Sequence, residues 1–170
     1  MTDTLYATTM DSPLGVLTIT ASDAGVRAVT WPAESEGRVP IAEPVEGGPH
    51  PILEQTERQL GEYFAGDRLE FDLPLDPVGT DFQHAAWTAL CTIPYGETVS
   101  YGEQAGRMGD ARKARAVGAA NGRNPISIIV PCHRVVGADG SLTGFAGGID
   151  SKAWLLDHER QHTGHTLDFS

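Results

Sequence analysis

The run Ile129-Val130-Pro131-Cys132-His133-Arg134 places a thiol between a proline and two basic side chains. The thiolate is the nucleophilic form of cysteine, and neighbouring positive charge favours it. The apolar run Ile126 to Val130 reads as a buried strand, and Pro131 stiffens the backbone just before the thiol. In an extended chain Cys132 and His133 point to opposite faces, so proton transfer between them needs a bridging water or a turn. The same residues would also suit a packed core cysteine beside a solvated Arg-His pair. The second cysteine, Cys91, falls beside Leu90 at the end of a helical pattern and reads as a packing residue.

A different chemistry is suggested by His158-Glu159-Arg160-Gln161-His162, which matches the H-E-x-x-H zinc-peptidase pattern. Two histidines four apart on a helix could bind zinc, with the glutamate as base. Arg160 inside the motif is unfavourable for a cation, and only His165 follows as a further histidine. No metal is therefore expected.

Stepping outward, these residues need elements to hold them. Leu5 to Met10, Val16 to Ala21 and Val26 to Trp31 are strand-like, separated by the turn signals 11–15 and 22–25. Residues 32–50, rich in Pro, Gly and Glu, read as a mobile loop. A helix is expected from Pro51 to about Gly66, and a short strand over Phe71 to Leu75. Asp76-Pro77-Val78-Gly79 reads as a boundary between domains 1–78 and 79–170. Beyond it, Thr80-Asp81-Phe82-Gln83 and Ser100-Tyr101-Gly102-Glu103 are capping boxes, opening helices to about Cys91 and Met108. After the Gly109-Asp110 break, Asp110 caps a helix over 111–121 that Gly122 ends. Helix, tight glycine turn and basic helix form a helix-turn-helix pattern. The slim, alanine-rich surface of that second helix suits either a groove wall or tight internal packing.

The 170-residue chain carries a net charge of -11, distributed very unevenly. Residues 1–78 hold fourteen acidic and four basic side chains, whereas 101–136 hold six basic and two acidic ones. Arg107, Arg112, Lys113, Arg115, Arg123 and Arg134 are half of the chain's positive charge, focused as phosphate contact requires. No run is apolar enough to span a bilayer, and Met1-Thr2-Asp3-Thr4 does not open a secretory signal. Two cysteines make neither a disulfide framework nor a cysteine-rich zinc site, so a cytoplasmic protein with reduced thiols is expected.

The segment Gly122-Arg123-Asn124-Pro125-Ile126-Ser127-Ile128-Ile129-Val130-Pro131-Cys132-His133-Arg134-Val135-Val136-Gly137 resembles the active-site signature of the O6-alkylguanine-DNA alkyltransferases, of the free-standing bacterial type. The resemblance runs from about Gly79 to Glu159, and the N-terminal half fits the family's layout without a diagnostic motif. It implies an α/β (α+β) fold: a small antiparallel sheet with a helix, ribonuclease-H-like, then a mainly helical domain like a winged helix-turn-helix. It also implies single-turnover direct reversal of DNA damage, in which the alkyl group of O6-alkylguanine passes irreversibly to Cys132. Activity on O4-alkylthymine stays open. His133 would take the thiol proton through a water, and Glu159 would orient His133. Asn124 matches the hinge asparagine; Asn124-Pro125 also forces an extended break after the helix. Arg115 matches the finger that fills the hole left by a flipped base, and Tyr101 the tyrosine that contacts the guanine. Arg134, Val135, Phe145 and Ala146 fall among the expected substrate and DNA contacts.

Base flipping suits this chemistry, because O6 must enter a snug pocket for in-line attack. Gly144-Phe145-Ala146-Gly147-Gly148 would wall that pocket. Some relatives have tyrosine and serine where Phe145 and Ala146 stand, so side-chain donation from Ala146 is lost. Others hold zinc in the N-terminal segment, but residues 1–78 contain no cysteine and one histidine, His50, so no such site is expected. No cofactor is expected either, since the protein is the alkyl acceptor. The expected partner is double-stranded DNA containing alkylated guanine, bound by a monomer, with cooperativity along DNA left open. The alternative is a non-catalytic, alkyltransferase-like DNA binder, in which the cysteine is typically replaced by tryptophan.

Overall fold

The computed structural model describes residues 4–32, 34, 37–41, 45, 46 and 49–167. Met1–Asp3 and several positions of the 32–50 segment lie outside the described residues. The chain divides into two compact units. The first joins residues 1–78 with Pro125–Ile129; the second comprises Gly79–Asn124 and Val130–Ser170. The five residues before the active-site turn thus belong to the first unit, although the sequence puts them deep in the second half.

In the first unit, β1 (Leu5–Met10), β2 (Leu17–Ala21) and β3 (Val26–Thr30) form an antiparallel meander. The β1–β2 turn closes through reciprocal Ser12 and Gly15 backbone bonds of 3.1 Å, and Gly15 has φ +103°, which a side chain would resist. A fourth strand, β4 (Val45–Glu46), pairs parallel to β1, so the expected loop over 32–50 contains sheet. The sheet order is β3-β2-β1-β4. Leu17, Ile19 and Ala21 are fully buried at the period-two spacing of a strand.

Helix α1 (Pro51–Phe64) carries Leu53, Thr56, Leu60 and Tyr63 on its buried stripe. Its N-cap is His50, whose ring nitrogen accepts from the Ile52 amide at 3.2 Å, a cap that no Ser, Thr, Asp or Asn announced. The strand expected over Phe71 to Leu75 does not form. Buried Gln59 takes both backbone groups of Asp72, at 2.9 and 3.0 Å, which supplies what a sheet partner would have supplied. Only Leu75 makes a bridge, to Val26.

The second unit is mainly helical. Helix α2 (Asp81–Leu90) and, after the short strand β5 (Val99–Ser100), helix α3 (Tyr101–Arg107) start at the two capping boxes, with both reciprocal bonds made in each. Asp110 caps a 3-10 turn, Ala111–Lys113, before α4 (Ala114–Gly122), so the expected helix over 111–121 begins with a tighter turn. Buried polar bonds lock the three helices together. Gln104 and Asn121 exchange amide bonds at 2.7 and 3.0 Å, Gln104 also donates to the Ala86 carbonyl, and Trp87 donates to the Ala120 carbonyl. Strand β6 (Val135–Val136) pairs parallel with β5, and α5 (Ile149–Leu167) closes the unit. Cys91 caps the end of α2 with its surface exposed, so it is not the packing residue the sequence suggested.

Candidate active site

Of the expected strand over Ile126–Val130 only Ile126 pairs, in a parallel bridge to Val29, and turns replace the rest, although every residue in it is buried. Ile129 donates to the Ser127 carbonyl at 2.8 Å around Ile128, whose φ of +73° is the positive-φ form of a γ-turn. For a β-branched residue this is strained, at a typical cost of about 1–3 kcal/mol. A second γ-turn follows: Cys132 donates to the Val130 carbonyl at 2.9 Å around Pro131, at φ -85° and ψ 65°. Buried Asn124 donates to the same Val130 carbonyl at 2.8 Å, tying the end of α4 to the backbone just before the cysteine.

Cys132–Arg134 then forms a 3-10 turn. Successive side chains diverge by about 120° in such a turn, not the 180° of a strand. The turn required by adjacent Cys and His is present: the thiol stays part-exposed while His133 turns into the interior. His133 Nε2 lies 2.7 Å from Oε2 of Glu159, which α5 supplies. Glu159 is fully buried and receives two further bonds from Arg134, at 2.8 and 3.1 Å, and a longer one of 3.4 Å from the Gly96 amide. The remaining Arg134 nitrogen donates to the Ile93 carbonyl at 2.7 Å.

Burial alone would raise the Glu159 carboxyl, but His133 and then Arg134 overcome it and hold it well below the usual carboxylate range. Burial pushes His133 below its ordinary 6.5, against the opposing pull of Glu159. The pair is therefore a neutral imidazole on an ionised carboxylate. The network assigns the imidazole proton to Nε2, facing Glu159, and among the described residues Nδ1 makes no hydrogen bond. Nδ1 is left as a base.

The structure redistributes the positive charge anticipated around the thiol. Arg134, expected among the DNA contacts, is buried and spends its guanidinium on Glu159 and Ile93. A cation in electrostatic reach of Cys132 is Lys152, buried in the first turn of α5. Burial lowers the Lys152 ammonium, and the Cys132 charge opposes that shift. Sequence reasoning missed Lys152, yet a signal existed: it stands seven residues before Glu159, two helical turns, and so on the same face. Thr143 was also missed. Its hydroxyl meets the Tyr101 hydroxyl at 2.5 Å, and Lys152 Nζ lies 3.4 and 3.5 Å from its carbonyl and hydroxyl.

Phe145 and Ala146 are half-buried in a turn closed by the Gly148 amide on the Phe145 carbonyl at 2.9 Å. Val135 is fully buried, its backbone paired with Val99, so its side chain belongs to the interior rather than to a contact surface. Arg115 stands exposed on α4, with Arg112, Lys113 and Arg123 also exposed nearby in sequence. In the zinc-peptidase pattern, Glu159 is committed to His133 and Arg134, while His158 stacks on Trp154 with ring centroids 4.7 Å apart.

A part-exposed thiol backed by a buried His-Glu-Arg cluster, on the same unit as a helix-turn-helix, defines a thiol-dependent protein that works on nucleic acid. Residues 5–77 match the family model of the 6-O-methylguanine DNA methyltransferase ribonuclease-like domain, and residues 81–161 that of its DNA binding domain. A methylated-DNA--protein-cysteine methyltransferase of Mycolicibacterium paratuberculosis is 49% identical over 162 residues, 94% of each chain. One from Methanosarcina acetivorans is 45% identical, covering 91% of this chain and 98% of its own. The crystal structure of Mycobacterium tuberculosis OGT in complex with DNA superposes with a TM-score of 0.85 at 46% identity, covering 92% of this chain and 94% of that one. The chain belongs to the 6-O-methylguanine DNA methyltransferase family. Its activity is DNA repair by transfer of an alkyl group to a protein cysteine. Among the described residues no helix is long and apolar enough to cross a membrane.

Proposed function

We propose that Cys132 is the acceptor and that the alkyl group comes from O6-alkylguanine in double-stranded DNA. The observation that carries this reading is the buried His133, bonded to Glu159 at 2.7 Å, next in sequence to a part-exposed thiol. His133 Nδ1 takes the Cys132 proton, through a water as in the family's mechanism. The sulfur then attacks the alkyl carbon. The S–C bond forms as the C–O6 bond breaks, and its electron pair stays on O6. The proton taken from the thiol ends on the departing base, which is restored as guanine. Lys152 favours the thiolate, in keeping with its charge coupling to Cys132. A thioether does not hydrolyse readily, so each molecule reacts once.

Arg115, exposed on α4, fills the space of the extruded base, and Tyr101 meets the base in the pocket. Ala146 offers O6 only its backbone N–H. The protein acts in the cytoplasm as a monomer. Intact mass after incubation with a duplex containing one O6-methylguanine tests the reading. The expected result is a gain of one CH2 per molecule, located at Cys132, halting after one turnover and abolished in Cys132→Ala. No gain in the wild-type protein, or transfer retained in Cys132→Ala, overturns it.

A further inference from the structure

We propose that Thr143 is a positioning residue that orients the Tyr101 hydroxyl toward the base in the pocket. The proposal rests on the assignment of Cys132 and Tyr101 to the alkylguanine site. Two groups meet at this one side chain. The Tyr101 hydroxyl, carried at the first position of α3, lies 2.5 Å from Thr143 Oγ1. Lys152 Nζ, from α5, lies 3.5 Å from the same oxygen and 3.4 Å from the Thr143 carbonyl.

An ammonium only donates, so toward Lys152 the threonine oxygen must accept. A threonine hydroxyl has one proton and two lone pairs. With one lone pair facing Lys152, its proton is free for the tyrosine oxygen, and the positive charge strengthens that donation. In the proposed arrangement that proton goes to the Tyr101 oxygen, in place of the tyrosine donating to the second Thr143 lone pair, so Tyr101 keeps its own proton for another partner. Tyr101 and Thr143 are both half-buried, and in this arrangement the tyrosine proton goes to the base that enters the pocket. The neighbouring loop cannot replace this function, because Gly144-Phe145-Ala146-Gly147-Gly148 contains no side-chain hydroxyl. Thr143 thereby links the charge that Lys152 shares with Cys132 to the donor that Tyr101 offers.

The test is single-turnover transfer from a duplex with one O6-methylguanine, read by mass across DNA concentrations. It compares the wild-type protein with Thr143→Val, Thr143→Ala, Thr143→Ser, Tyr101→Phe and the Thr143→Val/Tyr101→Phe double variant. Losing one neutral hydrogen bond corresponds to about a fivefold to tenfold effect. Thr143→Val is expected to slow transfer at saturating DNA by about that factor and to leave the half-saturating DNA concentration within about twofold. Thr143→Ser is expected to restore the rate. The double variant should be no slower than Tyr101→Phe alone. If Thr143→Val does not fold, Thr143→Ala read against Thr143→Ser makes the same comparison. A wild-type rate in Thr143→Val or Thr143→Ala overturns the proposal. So does multiplication of the two single losses, or a loss confined to half-saturation. A wild-type protein that gains no mass instead overturns the Cys132 assignment beneath it.

Discussion

Each unit of this protein contains an arginine bound to a carboxylate, and the two pairs differ in what surrounds them. In the first unit Arg27 holds Asp76 at 2.8 Å through one nitrogen and the Asp76 carbonyl through another, with Ser22 on the same carboxylate. The Asp76 side chain remains 32% exposed. In the second unit Arg134 grips both oxygens of Glu159, whose side chain is only 1% exposed, and His133 shares that carboxylate. The Arg27 pair fastens the segment after Leu75 to the sheet, and water can replace part of what it does. The Arg134 pair has no such substitute. Its charges are compensated by each other, by His133 and by backbone groups, with the Tyr95 ring 5.6 Å from the guanidinium, so geometry and ionisation are set together. The same two residue types thus brace a fold in one unit and tune a reactive site in the other.

The largest expected effect concerns what Glu159 does beyond charge. Glu159→Gln keeps the shape but can present an N–H to His133 Nε2, which permits the wrong tautomer. Transfer from O6-methylguanine duplex should slow by about a hundredfold or more, as loss of base orientation does elsewhere. A rate within about threefold of wild type would show that Glu159 only braces, like Asp76.

Next in size is the stability contrast. Arg134→Met leaves Glu159 buried with one cation fewer, and should cost about 3–5 kcal/mol. Arg27→Met leaves Asp76 able to turn to water, and should cost about 1–2 kcal/mol. Urea unfolding of both variants measures the difference, and equal costs would erase the distinction drawn between the pairs.

The smallest effect is a pH dependence. His133 must be neutral to accept the thiol proton, and burial holds it below its ordinary 6.5. Transfer should therefore run at nearly the same rate at pH 6.5 as at pH 7.5 and decline only in more acid solution; half-loss at pH 6.5 would mean an unperturbed imidazole. Stability moves in a related way. As pH falls below about 6.5 the unfolded chain protonates His133 while the folded one does not, so stability drops. Below the ordinary Glu value of 4.5, the contribution of depressed Glu159 is lost as well. Asp76, also depressed, adds an acid-limb loss of the same sign below its ordinary 3.8.

Local signals in the sequence settled a good deal. The capping boxes at Thr80 and Ser100 mark where α2 and α3 begin, because a hydroxyl and a carboxylate or amide three residues apart satisfy the first free amides whatever the tertiary context. The turns at Ser12–Gly15 and Ser22–Gly25, the strands they join, the start of α1 at Pro51 and the basic helix-turn-helix are local in the same sense. Cys132, His133 and Glu159 stood out by residue type and by their resemblance to a known signature. Where groups must come from distant elements, only the tertiary structure could decide. Apolar Ile126–Val130 has strand composition, yet it keeps only a bridge to Val29 at Ile126, and its remaining backbone bonds include two γ-turns and one from Asn124. The destination of Arg134 depends on where α5 delivers Glu159, and the same helix brings Lys152 within electrostatic reach of Cys132. Residue types determined which chemistry this chain could carry. Long-range burial, which removes water and leaves each charge only its neighbours, determined which residues carry it.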